Sequence, residues 1–288
     1  MESLTLLLRP SSTVDKNGIH VTNDIANKTV WDKLAKENPT HAVISAEDEA
    51  AAAEKSQSQI ADIASHVSES HVLLDYGCGY GRVAQFLLPQ QQLAGYIGLD
   101  SSFEMLQLFK ERHTRTEAEQ GTPVLFLNAD IFSIPLQSQS IDAVIVCAVF
   151  LHNHKSIVEK AMQELSRVVK PGGTVLVYSS FPRMATAMGV QGQLYQMCLN
   201  LMGRPFKNGP VRYYTASEIR RLFAEFSNVD LVPVGFSIIP KSLIFLPRAL
   251  DNVWRVVISN PVNLLLEKIC PAFVKRHFAV HFDVISKR

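Results

Sequence analysis

Short apolar runs alternate with longer segments of mixed polarity along most of the 288-residue chain. The run at 141–146 is almost continuously apolar, as expected of a strand buried on both faces of a parallel sheet. Several of the segments between the runs carry apolar residues at helical spacing. This alternation predicts an α/β fold with a mostly parallel sheet. The predicted strands are 72–74, 94–99, 124–127, 141–146, 174–178, 229–238 and 278–285.

Capping residues indicate where the helices begin. A Ser or Thr followed by an acidic residue about three positions later is the signature of a capping box. This signature predicts helix starts at 45–48, 101–104, 156–159 and 215–218. The first of these helices is expected to extend to 67, the third to 169 and the last to about 226. A further helix is expected to begin at 83.

The most informative motif is V-L-L-D-Y-G-C-G-Y-G-R at 72–82, in which three glycines separate a strand from a helix. Glycines allow the backbone to turn sharply and to approach a ligand closely. The free N–H groups of the following helix then favour a polar or anionic ligand over the turn. The glycines are Gly77, Gly79 and Gly81.

The glycine turn alone fits two kinds of cofactor. The stretch 79–84 also satisfies the loose dinucleotide fingerprint G-x-G-x-x-A. Asp75, at the end of the strand, separates the two interpretations. Its carboxylate would repel a pyrophosphate, whereas it would attract a ligand that carries an amino group and a sulfonium.

The motif D-x-G-x-G-x-G at 75–81 resembles the first motif of the class I S-adenosylmethionine-dependent methyltransferases, and K-P-G-G at 170–173 resembles a turn of the same family. The resemblance extends from about residue 31 to the C-terminus. It implies a Rossmann-like seven-stranded sheet, mostly parallel with an antiparallel seventh strand, and helices on both faces. It also implies S-adenosylmethionine as the cofactor. We therefore expect one methyltransferase domain at 31–288, behind a loosely held N-terminal arm at 1–30.

Two aspartates at strand ends are candidate cofactor ligands. Asp100 lies about one βαβ step after the glycine turn, where a carboxylate can accept both ribose hydroxyls; alternatively, it stabilises the dipole of the next helix. Asp130 matches the family position that binds adenine, with Ile131 beside the ring; alternatively, it is a turn residue before Pro135. The resemblance implies further cofactor contacts from Asp75, Gly77, Cys78, Gly79, Gly81, Ser101, Met105, Cys147 and Leu151.

Two insertions depart from the minimal fold. The Met-rich stretch near 181–214 predicts a lid, which either contacts an apolar substrate or simply packs against the body. The stretch near 239–277 is amphipathic, and its apolar runs are interrupted by basic residues. It is either an interfacial segment, with membrane contact through 243–276, or a helical cap on the core. Candidate substrate contacts are His154, Tyr195, Tyr213 and Tyr214.

Composition excludes several classes of function. The formal net charge is +1 with no block of like charges, so nucleic-acid binding is not expected. The four cysteines form no C-x-x-C pair, which predicts no metal site and fits a reducing cytoplasm. The N-terminal sequence lacks the features of a signal peptide, and no apolar run is long enough for a spanning helix. The expected location is the cytoplasm, with peripheral membrane contact if the interfacial interpretation holds.

The resemblance predicts methyl transfer from S-adenosylmethionine to an oxygen, nitrogen or carbon nucleophile of a small apolar acceptor. His152 is the candidate base, because an imidazole can accept a proton near neutral pH; alternatively, it is a structural histidine near the cofactor. Two other functions stay open at this point. One is a non-catalytic protein that retains the fold for interaction, and the other is an NAD-dependent oxidoreductase.

Overall fold

The computed structural model describes residues 2–8, 13–22, 28–37, 49–114, 121–203, 211–240, 243 and 248–288. The capping box at 45–48 lies outside the described residues. The same holds for residues 204–210 of the predicted lid.

The described strands form one nine-stranded sheet in the order β1-β2-β5-β4-β3-β6-β7-β9-β8. The strands from β2 to β7 in this order run parallel, and β9 lies antiparallel between β7 and β8. This confirms the Rossmann-like methyltransferase topology. The strands are β1 (Thr13–Val14), β2 (His20–Val21), β3 (Val72–Tyr76), β4 (Gly95–Asp100), β5 (Val124–Asn128), β6 (Ile141–Cys147), β7 (Val169–Pro182), β8 (Ser227–Val234) and β9 (His281–Lys287).

The described part of the N-terminal region adds two short strands to the seven that were expected. β2 pairs in parallel with β5, with His20 opposite Leu127, and thereby extends the sheet by two short strands. Leu4 and Ile19 are buried, and Leu4 packs against the surface that Gly95 leaves open. The arm is held because it covers an otherwise unpaired strand edge and fills apolar space beside it.

Helices cover both faces of the sheet. Alternate residues of β3 enter the two apolar layers, with Leu73 on one face and Leu74 on the other. A single turn of 3₁₀-helix, Phe150–His152, follows β6. The helices are α1 (Glu2–Thr5), α2 (Lys28–Glu37), α3 (Glu49–His66), α4 (Arg82–Leu87), α5 (Phe103–Thr114), α6 (Lys155–Val168), α7 (Ala187–Leu201), α8 (Ala216–Leu222), α9 (Arg248–Val253), α10 (Asn260–Ile269) and α11 (Ala272–His277).

Capping confirms two of the predicted helix starts and corrects a third. Thr215 and Glu218 form the predicted capping box of α8. Ser102 caps α5 by accepting a hydrogen bond from the amide of Met105. The prediction that Ser156 caps α6 is wrong, because the N-cap is His154, whose ring accepts from the amide of Ser156. Because the imidazole of His154 accepts from the free N–H group of Ser156, the N-cap lies two residues earlier in the chain than predicted.

The stretch at 235–280 forms a helical connection between β8 and β9. α9 continues into α10 through a π-helical turn, Trp254–Ser259. Pro261 explains the turn, because a proline cannot donate to the carbonyl four residues earlier and its ring would clash with it in α-helical geometry. Within the described residues, none of the helices combines the length and the apolar character needed to cross a bilayer.

Two glycines offer a matched test of the packing beneath the glycine turn. Gly81 and Gly172 both have a left-handed backbone, with φ of 82° and 79°. A Cβ atom at Gly81 would lie 2.1 Å from the ring of Phe109, whereas no described atom lies within 4 Å of a Cβ atom at Gly172. We expect Gly172→Ala to lower the free energy of unfolding by about 1–2 kcal/mol through backbone strain alone. Gly81→Ala should lower it by about 3–5 kcal/mol, because the ring must also move.

Urea unfolding followed by circular dichroism measures both changes. Equal decreases in the free energy of unfolding of the two variants would show that the contact with Phe109 adds nothing to the effect of Gly81→Ala.

Candidate functional site

A cleft opens where β3, β4, β5 and β6 end, at the carboxyl edge of the parallel strands. Open α/β sheets bind their ligands at this edge. Eight of the predicted cofactor residues line the cleft together with His152, and five further residues complete it. The lining residues are Trp31, Gly77, Gly79, Asp100, Ser101, Met105, Asp130, Ile131, Phe132, Cys147, Ala148, Val149, His152 and Asn153.

The glycine turn folds back onto the end of β4. The amides of Gly77 and Cys78 both donate to the carbonyl of Leu99, at 2.7 and 3.0 Å. Gly77 has a φ of 76°, and a Cβ atom there would lie 2.4 Å from Val149. The turn therefore requires glycine at this position both for its conformation and for the close approach of the loop after β6.

Asp100 is fixed between the glycine turn and α5. One carboxylate oxygen accepts from the amide of Gly79 and the other from the amide of Ser102, each at 2.8 Å. Burial raises the pKa of Asp100 to about 6. Each carboxylate oxygen can accept more than one hydrogen bond, so Asp100 can still accept from a diol in the cleft. The arrangement fits the ribose of an adenosyl cofactor.

The opposite wall combines one buried carboxylate with apolar side chains. Asp130 is 4% exposed, and Ile131 and Phe132 follow it along the cleft. The side-chain amide of Asn128 donates to the carbonyls of Asp100 and Ser101 and so holds the ends of β4 and β5 together. An acceptor oxygen beside apolar surface suits an adenine ring with an exocyclic amine.

Four of the predicted cofactor residues, Asp75 among them, do not line the cleft. Asp75 is 1% exposed and accepts a hydrogen bond from the hydroxyl of Tyr96. Burial raises its pKa to about 6, and its second oxygen has no hydrogen-bond partner among the described residues. Asp75 thus lies beneath the cleft. Cys78 packs in the core, Gly81 lies against Phe109, and the carbonyl of Leu151 accepts from the amide of Arg212.

His152 lines the cleft beside Trp31, with the two ring centroids 5.4 Å apart and edge to face. Burial lowers the pKa of His152 to about 4, so the imidazole is neutral at neutral pH. Its buried Nδ1 has no hydrogen-bond partner among the described residues. The Nδ1 atom of a neutral ring can donate a hydrogen bond to a ligand or accept one from it, depending on the tautomer. The low pKa of His152 makes the imidazole a weak base.

Five lining residues were not among the predicted site residues, namely Trp31, Phe132, Ala148, Val149 and Asn153. Two of them had a usable signal. Trp31 stands at the start of the stretch that resembles the family, and Phe132 directly follows the predicted contact with the adenine ring. The other three flank His152 in sequence, and only the course of the loop shows that they face the cleft.

The four candidate substrate residues do not line the cleft. Tyr214 is buried in the core, and its hydroxyl donates to the carbonyl of Phe150. The hydroxyl of Tyr213 lies against Gly192 of α7, where a Cβ atom would come within 1.7 Å of it. Tyr195 is exposed on α7, and His154 is the exposed cap of α6. None of the described lid residues lines the cleft.

A second cavity lies beside the cleft, and Cys147 and Ala148 line both. It lies between α3 and the strands β7, β9 and β8. Val232, Val234 and Ile285 give it an apolar wall. Its polar residues are Ser58, Gln59, Asp62, Arg82, Tyr178, Ser179, His281 and Asp283.

The polar groups of the second cavity are organised around two carboxylates. The hydroxyl of Tyr178 donates to Asp62 at 2.6 Å, and the amide of Ser179 donates to Asp283 at 2.7 Å. Nε2 of His281 lies 3.5 Å from the same oxygen of Asp283. Burial raises the pKa of Asp283 to about 6. No group of His, Cys, Asp and Glu within the described part of the chain could hold a metal ion.

Comparison with known proteins agrees with this architecture. Residues 74–177 match the family described as "Methyltransferase domain". The chain is 30% identical over 170 residues to the demethylmenaquinone methyltransferase of Thermus thermophilus, covering 58% of this chain and 74% of that protein. It is 35% identical over 107 residues to the tRNA (carboxymethyluridine(34)-5-O)-methyltransferase of Arabidopsis thaliana, covering 37% of this chain and 23% of that protein.

Among solved structures, one methyltransferase in complex with the Haloferax volcanii Trm112 activator has a TM-score of 0.53 at 17% identity. It covers 89% of this chain, and the match includes 96% of the other chain. This likeness shows the fold. The Thermus relative and the matched domain support a methyltransferase over an NAD-dependent oxidoreductase and over a non-catalytic protein. The chain belongs to the class I S-adenosylmethionine-dependent methyltransferases, and it uses S-adenosylmethionine as its cofactor.

Proposed function

We propose that this enzyme transfers a methyl group to an oxygen, nitrogen or carbon nucleophile of a small, mainly apolar acceptor that binds in the second cavity. The observation that carries the proposal is that Cys147 and Ala148 line both the cofactor cleft and the second cavity, which has one apolar wall. An acceptor in the cavity would lie next to the cofactor. Exclusion of water and placement of the nucleophile supply much of the acceleration in a displacement of this kind.

In this proposal, the residues of the cleft bind and orient the cofactor. Asp100 accepts the ribose hydroxyls, and Asp130 accepts the adenine amine while Ile131 contacts the ring. Gly77 and Gly79, which have no side chains, line the cleft and leave room for the rest of the molecule. When bound, S-adenosylmethionine supplies an electrophilic methyl group on a positively charged sulfur.

Asp283 is better suited than His152 to accept a proton from the acceptor. A base is most effective when its pKa lies near the working pH. The pKa of Asp283 is about 6, whereas that of His152 is about 4. Asp283 also faces the second cavity, and Ser179 and His281 hold its position. His152 instead serves as a neutral hydrogen-bonding group on the cofactor side.

The relatives give more support to an apolar acceptor than to tRNA. The Thermus protein, which this chain matches over most of its length, is named for an apolar quinone precursor. The tRNA methyltransferase matches over a much smaller part of its own length. A net charge of +1 also provides little attraction for phosphates.

The proposed function is tested with purified protein and S-adenosylmethionine that carries a radiolabelled methyl group. The acceptors are a prenylated hydroquinone, a long-chain fatty acid and unmodified tRNA. We expect label in the organic phase with at least one apolar acceptor. Label in tRNA alone, or in no acceptor of the panel, would contradict the proposal.

Asp100 should make cofactor affinity depend on pH. Its carboxyl is ionised at pH 7.5 and about nine-tenths protonated at pH 5, because its pKa is about 6. Protonation removes a charged acceptor, so affinity should fall about tenfold over this range. Asp100→Asn should weaken binding about 10- to 100-fold at pH 7.5, the usual value of a hydrogen bond to a charged group. Isothermal titration calorimetry with S-adenosylmethionine measures both effects.

Asp75→Asn is the matched control, since Asp75 has a similar pKa but lies beneath the cleft. It should change the affinity by no more than about threefold, provided that circular dichroism shows a folded protein. If Asp100→Asn binds as tightly as the unmodified enzyme, the ribose assignment is wrong.

Asp283 should control the rate of transfer to an acceptor that loses a proton. At saturating cofactor and acceptor, kcat should fall as the pH drops through about 6, because the carboxylate becomes protonated. Asp283→Asn should lower kcat about 100-fold at pH 7.5 and abolish this pH dependence. His152→Gln is the matched control and should leave the midpoint near pH 6 unchanged. A midpoint that survives in Asp283→Asn would assign the base elsewhere.

A further inference from the structure

The helical segment at 248–277, formed by α9, the π-turn, α10 and α11, uses polar side chains to attach to the body. Asn263 accepts from the amides of Ile238 and Ile239 and donates to the carbonyl of Ile239. The hydroxyl of Ser259 and the indole N–H of Trp254 both donate to the carbonyl of Pro240. Ser259 and Asn263 are the buried residues of the segment among those described, and both are polar.

Large apolar side chains of the same segment point to solvent. Eight of them are each more than half exposed, and Phe273 is 75% exposed. This is the reverse of an ordinary surface helix, whose apolar stripe faces the core. The eight residues are Leu250, Val253, Val256, Val257, Leu264, Leu265, Ile269 and Phe273.

The exposures favour the interfacial interpretation of the insertion over the helical cap. A helical cap on the core requires its large apolar residues to be buried against the body, and these eight are not. Exposed apolar surface of this extent is characteristic of a site that binds another apolar surface.

Charge indicates which surface this is. Residues 248–277 contain five lysines and arginines and two acidic residues, although the whole chain carries a net charge of only +1. The positive charge of the molecule is thus concentrated in the segment with the exposed apolar residues. Basic residues beside an apolar helix face are the signature of a helix that lies in the interface of an anionic bilayer. A second copy of the chain would bring the same positive charges together and is disfavoured.

The segment also lies at the functional end of the sheet. It connects Val234, at the carboxyl end of β8, with His281, at the start of β9, and His281 pairs with Pro182 at the carboxyl end of β7. Arg183 donates to the carbonyls of Arg276 and His277 and thereby fixes the end of α11 at this edge. The cofactor cleft opens at the same edge of the sheet.

We infer that the helical segment at 248–277 binds the surface of an anionic phospholipid bilayer, with its exposed apolar side chains between the acyl chains and its basic residues at the headgroups. This places the carboxyl edge of the sheet, and with it the active site, against the membrane. The inference does not depend on the identity of the acceptor.

The inference is tested by co-sedimentation of the full chain with vesicles. Vesicles of phosphatidylcholine with about one-third phosphatidylglycerol should bind the protein, and binding should be weaker to phosphatidylcholine alone and at high salt. Val257→Asp, Leu265→Asp and Phe273→Asp should each weaken binding about tenfold or more, since burying one such side chain in an apolar phase contributes about this much. Lys268→Glu should weaken binding only to the anionic vesicles.

Leu6→Asp and Val14→Asp are the matched controls, because both side chains are exposed and apolar but lie outside the segment. They should leave vesicle binding unchanged. All variants should keep the affinity for S-adenosylmethionine of the unmodified enzyme, which confirms folding and separates this test from that of the proposed function.

Three results would overturn the inference. The first is failure of the unmodified protein to sediment with anionic vesicles, and the second is an equal loss of vesicle binding in the segment variants and the controls. The third is a dimer in analytical ultracentrifugation that Val257→Asp dissociates, which would assign the apolar surface to a second copy of the chain.

Discussion

The contact between Phe109 and the backbone of two glycines is the constraint on which the cofactor cleft depends. Cβ atoms at Gly81 and Gly98 would lie 2.1 and 2.6 Å from the ring of Phe109, so the ring occupies space that only glycine leaves open. The same ring packs edge to face against Tyr96 and Phe126. It thus joins α5 to the glycine turn, β4 and β5. Asp100, at the end of β4, is held in place by this packing and by the two amides that donate to it.

Burial shifts the pKa values of the acidic groups in and around the site upward and shifts the pKa of its histidine downward. It raises the pKa values of Asp75, Asp100 and Asp283 to about 6 and lowers that of His152 to about 4. Both changes follow from the cost of placing charge in a medium of low polarity. The carboxylates therefore become the groups that titrate near neutral pH, and the histidine stays neutral. The residue type that sequence reasoning favours as a base is the less suitable one in this structure.

Sequence and resemblance together predict the features that depend on local order along the chain. The strand ends carrying Asp100 and Asp130 are local features, as is the capping box at Thr215, and the structure contains them where they were expected. Features that depend on which way a side chain points were not predictable. Asp75 faces inward because alternate residues of β3 enter opposite layers, and Tyr214 lies in the core although it directly precedes a cap. Asp283 lies far along the chain from the predicted substrate residues. It lines the second cavity only because β9 lies between β7 and β8 in the sheet.

The position of β9 in the sheet also has a consequence for how the chain folds. β8 pairs only with β9 among the described strands, and β9 follows it after a connection of more than forty residues. β8 has no neighbour in the sheet until β9 has been synthesised and has inserted beside β7. Pairings of such long sequence separation form slowly, since the intervening loop must be closed first. The half of the sheet that carries the cofactor cleft can assemble earlier, so the outer strands and the helical segment between them are expected to be the last part of the molecule to become ordered.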